Sequence, residues 1–180
     1  MEHPLGTRSV VIGVLSDTHG QLYPRVVESL RGVDHIIHAG DIGAAQVLTA
    51  LRQIAPVTAV RGNCDLEAWA ADLPPRAELT LGGARILVGH MVRRERAGAR
   101  EDRLQDAPDF AVIVFGHSHV AAVEEREGVL YLNPGSAGPR RFGRPRTVAR
   151  LEIAPAGGSE SEPLPGARPQ ITAEILTVDA

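Results

Sequence analysis

The chain has 180 residues, of which 43% are hydrophobic and 23% charged, and its formal net charge is −3. This composition fits one globular domain over residues 1–180 with a substantial core, and it excludes the basic surplus that holds nucleic acid or acidic surfaces by charge alone. Aromatic residues make up 3% of the chain, too few for a base-stacking platform.

Residues 9–15 (SVVIGVL) form a continuous apolar, β-branched run, which predicts a buried parallel strand. Gly13 interrupts the run and Ser16-Asp17 end it, so it is too short to span a membrane, and it lacks a small-residue cleavage site. The single cysteine, Cys64, excludes an internal disulfide and suits a reducing compartment, so a cytoplasmic location is expected. Residues 24–30 place Val26, Val27 and Leu30 at helical spacing, with Pro24 tolerated in a first turn. Residues 35–39 predict a second buried strand. Residues 44–54 repeat the helical pattern through Ala44, Val47, Leu48 and Leu51, and 56–60 predict a third strand. Such alternation implies right-handed strand–helix–strand crossovers and a parallel sheet.

The second half changes style. Segments 77–81 and 84–88 flank Gly82-Gly83, a hairpin signal. Residues 93–105 are strongly charged and read as a weak helix or lid with solvated charges. Residues 110–115 are the most apolar strand, and 120–125, 129–132, 147–153 and 171–178 read as antiparallel strands. Residues 154–170, rich in Pro, Gly, Ser and Glu, are too long for a tight turn and are expected to form a mobile surface loop. The sum is two packed sheets, partly parallel, with helices outside.

Five short blocks follow apolar runs: Asp17-Thr18-His19, Gly40-Asp41, Gly62-Asn63-Cys64-Asp65, Gly89-His90 and Gly116-His117-Ser118-His119. That placement puts metal-binding side chains at strand ends, where α/β proteins build their active sites. Asp17 and His19, two apart in extended chain, can face one ion. Each block alone also has a structural reading. Asp17-Thr18 suits a turn or cap, Asp41 an N-cap, Gly62-Asn63 a turn, and a single His90 a packing role. The His117/His119 pair has no obvious packing purpose. His35 and His38, in a buried strand, read as structural. No cysteine-hydrolase signature surrounds Cys64. Five such blocks at successive element ends point jointly to a metal site. Its oxygen and nitrogen donors favour Mn, Fe, Zn, Co or Ni over calcium or a structural zinc.

In order, D-x-H, G-D, G-N-x-D, G-H and G-H-x-H resemble the signature of the calcineurin-like metallophosphoesterases over nearly the whole chain. The small size, Asn63-Cys64-Asp65 and Asn133-Pro134-Gly135-Ser136 resemble the YfcE-like small phosphodiesterases. The resemblance implies a four-layer α/β/β/α sandwich of two mixed sheets. It implies one divalent ion on Asp17, His19, Asp41 and His119, and a second on Asp41, Asn63, His90 and His117, with Asp41 bridging. Asp41, Asn63, Asp65 and His90 are the residues expected to serve catalysis. Manganese is the first expectation for the metal, with Ni, Zn, Fe or Co as alternatives. Two departures stand out. Many relatives have His, assigned to leaving-group protonation, where this chain has Cys64, and a thiol is a poor substitute. The subgroup often reads H-G-H where this chain has His90-Met91-Val92.

The implied reaction is phosphoester hydrolysis, most of all of phosphodiesters, by in-line attack of a metal-bridging hydroxide. Two divalent ions offset by Asp17, Asp41 and a hydroxide leave a formal excess of about +1, which suits a phosphodiester monoanion. Arg140 and Arg141 read either as phosphate contacts or, with greater weight, as a solvated pair. The expected partner is a small phosphoester substrate, with no membrane partner. Composition argues against a nuclease without excluding short oligonucleotides, and a homo-oligomer is compatible with the sequence. A retromer subunit uses the same fold as a protein-binding scaffold, which is the alternative function; the full ligand set favours catalysis.

Overall fold

The computed structural model describes residues 8–91, 110–141, 143–156 and 168–179. In chain order the elements are β1 (Val10–Leu15), α1 (Pro24–Ser29), β2 (His35–His38), α2 (Ala45–Arg52), β3 (Val57–Ala59), a 3₁₀ turn (Ala68–Ala70), β4 (Arg76–Leu81), β5 (Ala84–Gly89), β6 (Val112–Val114), β7 (Ala122–Arg126), β8 (Val129–Asn133), β9 (Thr147–Ala154) and β10 (Gln170–Thr177). They form two five-stranded sheets, ordered β10-β9-β1-β2-β3 and β4-β5-β6-β8-β7.

Each sheet is mixed. β1, β2 and β3 run parallel, while β9 adds antiparallel to β1 and β10 to β9. In the second sheet β5, β6 and β8 run parallel, with β4 and β7 antiparallel at the edges. Strand β8 differs from the antiparallel expectation on one side only. Its hairpin with β7 turns at Glu127-Gly128, and its free edge then pairs parallel to β6. The expected Gly82-Gly83 hairpin is present: both residues have positive φ (55° and 81°), as a two-residue type I′ turn between paired Leu81 and Ala84 requires.

Period-2 alternation builds the layers. Ile12, Val14 and Ile37 of the first sheet face Ile86, Val88, Val112, Val114 and Leu132 of the second, all at most 1% exposed. Burying each of these larger side chains stabilises the fold by about 1.5–3 kcal/mol. The other face of the first sheet gives Leu15 and Ile36 to Val26, Leu30, Val47, Leu48 and Leu51 of the two helices. On the outer face of the second sheet lie Leu87, Phe110 and Ile113. The charged segment 93–105 and most of the 154–170 loop fall outside the described residues. No helix among the described residues is long and apolar enough to cross a membrane.

Candidate metal centre

The parallel strands of both sheets end at one edge, and every sequence block sits there. Residues 17–19 follow β1, 40–41 follow β2, 62–65 lie beyond β3, His90 follows β5, and 116–119 follow β6. The loops after β1 and β2 stay zipped past the strands. Asp17 N–H donates to Gly40 O at 3.0 Å, His19 N–H to Asp41 O at 3.0 Å, and Gly20 N–H to Ile42 O at 2.7 Å. This clamp holds an unusual backbone. Among the described residues six non-glycines have positive φ, and five of them are Asp17, His19, Asp41, His117 and His119. Such conformations cost about 1–3 kcal/mol each, persist only where neighbours enforce them, and cluster at functional sites.

Asp17, His19 and His119 form one donor group, with one ligand atom from each within 4.8 Å of the others. His119 Nε2 lies 3.1 Å from Asp17 Oδ1, and the Nε2 atoms of His19 and His119 are 3.3 Å apart. Donors bonded at about 2.1 Å to one tetrahedral or octahedral ion sit about 3.0–3.4 Å from each other. Asp17 Oδ1 is fully buried and accepts no hydrogen bond, although His119 is close enough to reach it. A buried anionic oxygen left this way is costly. A divalent cation among the three groups satisfies it, so the residues fit a metal ion.

A second group surrounds Asn63. His90 Nε2 lies 3.1 Å and His117 Nδ1 3.0 Å from Asn63 Oδ1. His90 Nδ1 donates to Ala39 O at 2.7 Å, which leaves Nε2 facing the site. That Nε2 also lies 3.3 Å from Asp41 Oδ2. Burial alone depresses the His90 pKa, but Asp41 and Ala39 O outweigh it and the net direction is upward. A proton or a cation on Nε2 answers this ring of oxygens equally well.

Asp41 joins the groups. It is grouped with Asp17 and His90 on one side and with His19 and Cys64 on the other. Burial opposes its ionisation, yet the bonds from His90 and the Cys64 backbone hold the carboxyl well below the usual range. The capping alternatives fail: α1 is N-capped by Tyr23 and α2 by Ala44, neither through a side-chain bond. The His19 imidazole is pushed down, first by burial and then by the charge of Arg141. Burial and Asp41 push the Cys64 thiol up.

Asp65 stands apart from the donors. Its buried carboxylate accepts backbone N–H bonds from Gly62 (2.9 Å), Gly43 (2.8 Å) and Ile42 (3.1 Å). It therefore fastens the loop carrying Asn63 to the loop carrying Asp41. His35 bonds Thr58, and buried His38 bonds Thr18 at 2.9 Å, in keeping with structural roles.

Two supporting side chains had no assigned role in the sequence. Asn133 Nδ2 donates to Gly116 O at 2.9 Å and to Ser118 Oγ at 3.1 Å, bracing the His117/His119 loop. Ser136 Oγ donates to Asp17 O at 3.1 Å. The signal available was the Asn133-Pro134-Gly135-Ser136 block, whose two polar side chains lie at and just past the end of apolar β8, at 1% and 7% exposure.

Comparison with known proteins adds lineage to this geometry. A family model described as the calcineurin-like phosphoesterase superfamily domain matches residues 10–155. The chain is 34% identical over 140 residues to "Probable metallophosphoesterase MJ0623" of Methanocaldococcus jannaschii, covering 71% of this chain and 68% of that one. It is 28% identical over 162 residues to Phosphodiesterase YfcE of Escherichia coli, covering 76% and 84%. In fold it is similar to zinc-complexed Vps29 of Entamoeba histolytica, with a TM-score of 0.66 and 19% identity over 94% of this chain and all of that one.

Proposed function

Because the chain belongs to the calcineurin-like phosphoesterase superfamily, we propose that it is a dinuclear metal-dependent phosphodiesterase. Asp17, His19, Asp41 and His119 hold one divalent ion, and Asp41, Asn63, His90 and His117 hold the other. The observation that carries this reading is the pair of converging donor groups on either side of Asp41. Manganese is the first candidate metal, with Ni, Zn, Fe or Co as alternatives on the same oxygen and nitrogen donors. When bound, the pair supplies Lewis-acid polarisation of the phosphoryl group and an activated water.

The chain's own residues set the geometry and the selectivity. Asp41 and Asp17 supply the negative charge that retains the cations. The Cys64 N–H fixes one oxygen of Asp41, and Asp65 fixes the loop from which Cys64 comes. Cys64 itself is exposed and offers a thiol where an imidazole would be the better proton donor to a leaving alkoxide. Esters whose leaving groups need no proton are therefore the preferred substrates. The name of the Escherichia coli relative supports the diester class.

The test compares bis(p-nitrophenyl) phosphate with an alkyl phosphomonoester in the presence of Mn²⁺. Faster turnover of the diester is expected. A clear monoester preference contradicts the reading. The likeness in fold to Vps29 brings a second reading, a protein-interaction scaffold, which predicts metal binding without hydrolysis of either ester.

A further inference from the structure

The loop after β8 crosses the metal centre. Ala137 N–H donates to Ser16 O at 3.0 Å, and a Cβ added to Gly138 would lie 2.3 Å from Asp17 O. Only glycine permits that approach, so the segment 136–138 is seated on the Asp17 turn. Arg140, Arg141, Arg144 and Arg146 follow within eight residues of it.

These arginines are not equivalent. Arg140 is anchored through Nε and Nη2, each 3.0 Å from Asp179 Oδ1. Arg146 donates to Gly138 O at 3.0 Å, pairs with the same Asp179, and stacks its guanidinium 3.6 Å from the Tyr23 ring centroid. Both are occupied in holding the loop down. Arg141 has no carboxylate partner among the described residues. Its backbone O accepts from Arg144 N–H at 3.1 Å, which fixes the turn it stands on. Its side chain is exposed and lines a small hollow with His119, Ser136 and Gly138.

The hollow places Arg141 beside the centre, because His119, which also lines it, belongs with Asp17 and His19 to one donor group. A guanidinium there without a carboxylate partner is complemented by an anion seated at the same hollow. Its fork matches two oxygens of a phosphoryl group.

We propose that Arg141 is a substrate-contacting residue whose guanidinium binds non-bridging oxygen of the scissile phosphoryl group from the His119 side of the metal centre. This rests on the phosphoesterase reading. Arg140, beside it in sequence, is a loop anchor and makes no such contact.

The test measures two properties of wild type, Arg141→Ala and Arg141→Lys loaded with Mn²⁺: calorimetric affinity for inorganic phosphate, and KM and kcat on bis(p-nitrophenyl) phosphate. In Arg141→Ala the phosphate Kd and the KM are expected to rise by about tenfold or more, with bound manganese unchanged. Arg141→Lys, which keeps charge and loses the fork, is expected between the two. Phosphate Kd and KM both within twofold of wild type in Arg141→Ala overturn the proposal. The phosphate titration reads Arg141 even if wild type hydrolyses nothing. That result would defeat the phosphodiesterase reading alone.

Discussion

The backbone N–H of Cys64 donates to Asp41 Oδ1 at 2.8 Å. Asp41 Oδ2 in turn lies 3.3 Å from His90 Nε2. One oxygen of the carboxylate is thus held by the third loop of the first sheet, and the other meets a histidine from the second sheet. Asp41 is the stitch between the two halves of the centre.

Replacing Asp41 with Asn keeps the shape and removes the charge by which, in the proposed dinuclear centre, one side chain would serve two cations. Asp41→Asn is expected to bind fewer than two manganese ions per chain by elemental analysis. Its turnover is expected to fall at least about a hundredfold. Two retained ions with wild-type turnover would remove Asp41 from the bridging position.

Asp65 was expected among the catalytic residues, and its carboxylate accepts three backbone N–H groups. Asp65→Ala leaves those donors unmatched at a site 2% exposed. It should lower the unfolding free energy by at least about 2 kcal/mol in denaturant titration. Asp65→Asn, which keeps one acceptor oxygen, should lose less stability and retain measurable turnover below its unfolding temperature. A stable Asp65→Asn protein with no turnover would instead give Asp65 a direct part in the chemistry.

His38 is fully buried, and burial pushes its pKa down to about 3; Asp65 and Asp41 pull the other way without prevailing. The folded state therefore favours neutral His38 while the unfolded chain protonates near 6.5. Its contribution to stability is complete above pH 6.5 and is lost as the pH falls toward 3, by about 1.4 kcal/mol per pH unit. His38→Gln retains a donor for Thr18 and should show a shallower loss of stability between about pH 6 and 4, by close to one proton. Identical slopes would contradict this origin.

Cys64→His places an imidazole beside Asp41. Turnover of alkyl esters should rise relative to aryl esters, by up to about the hundredfold common for a positioned acid. An unchanged ratio would mean that leaving-group protonation does not limit the reaction at this position.

Much of this was legible because it is local. The β-branched runs ending at Leu15, His38 and Val114 announced buried strands, and polar blocks after them announced the site. Other features depend on partners distant in sequence. Nothing near Val129 shows that β8 lies parallel to β6, since that choice is made by the edge left free after its hairpin. Asp65 reads as a catalytic residue in the sequence because two of the backbone donors that its carboxylate meets, Ile42 and Gly43, lie far from it along the chain. Arg140 and Arg141 are alike in sequence and are separated only by Asp179, which arrives at the far end of the chain and engages the first of them.

The most direct measurement is an anomalous difference map, recorded at the manganese edge, from crystals grown with Mn²⁺. Two peaks are expected, one among Asp17, His19 and His119, the other among Asn63, His90 and His117, with Asp41 bonded to both. A single peak, or two peaks without Asp41 between them, would contradict the dinuclear centre.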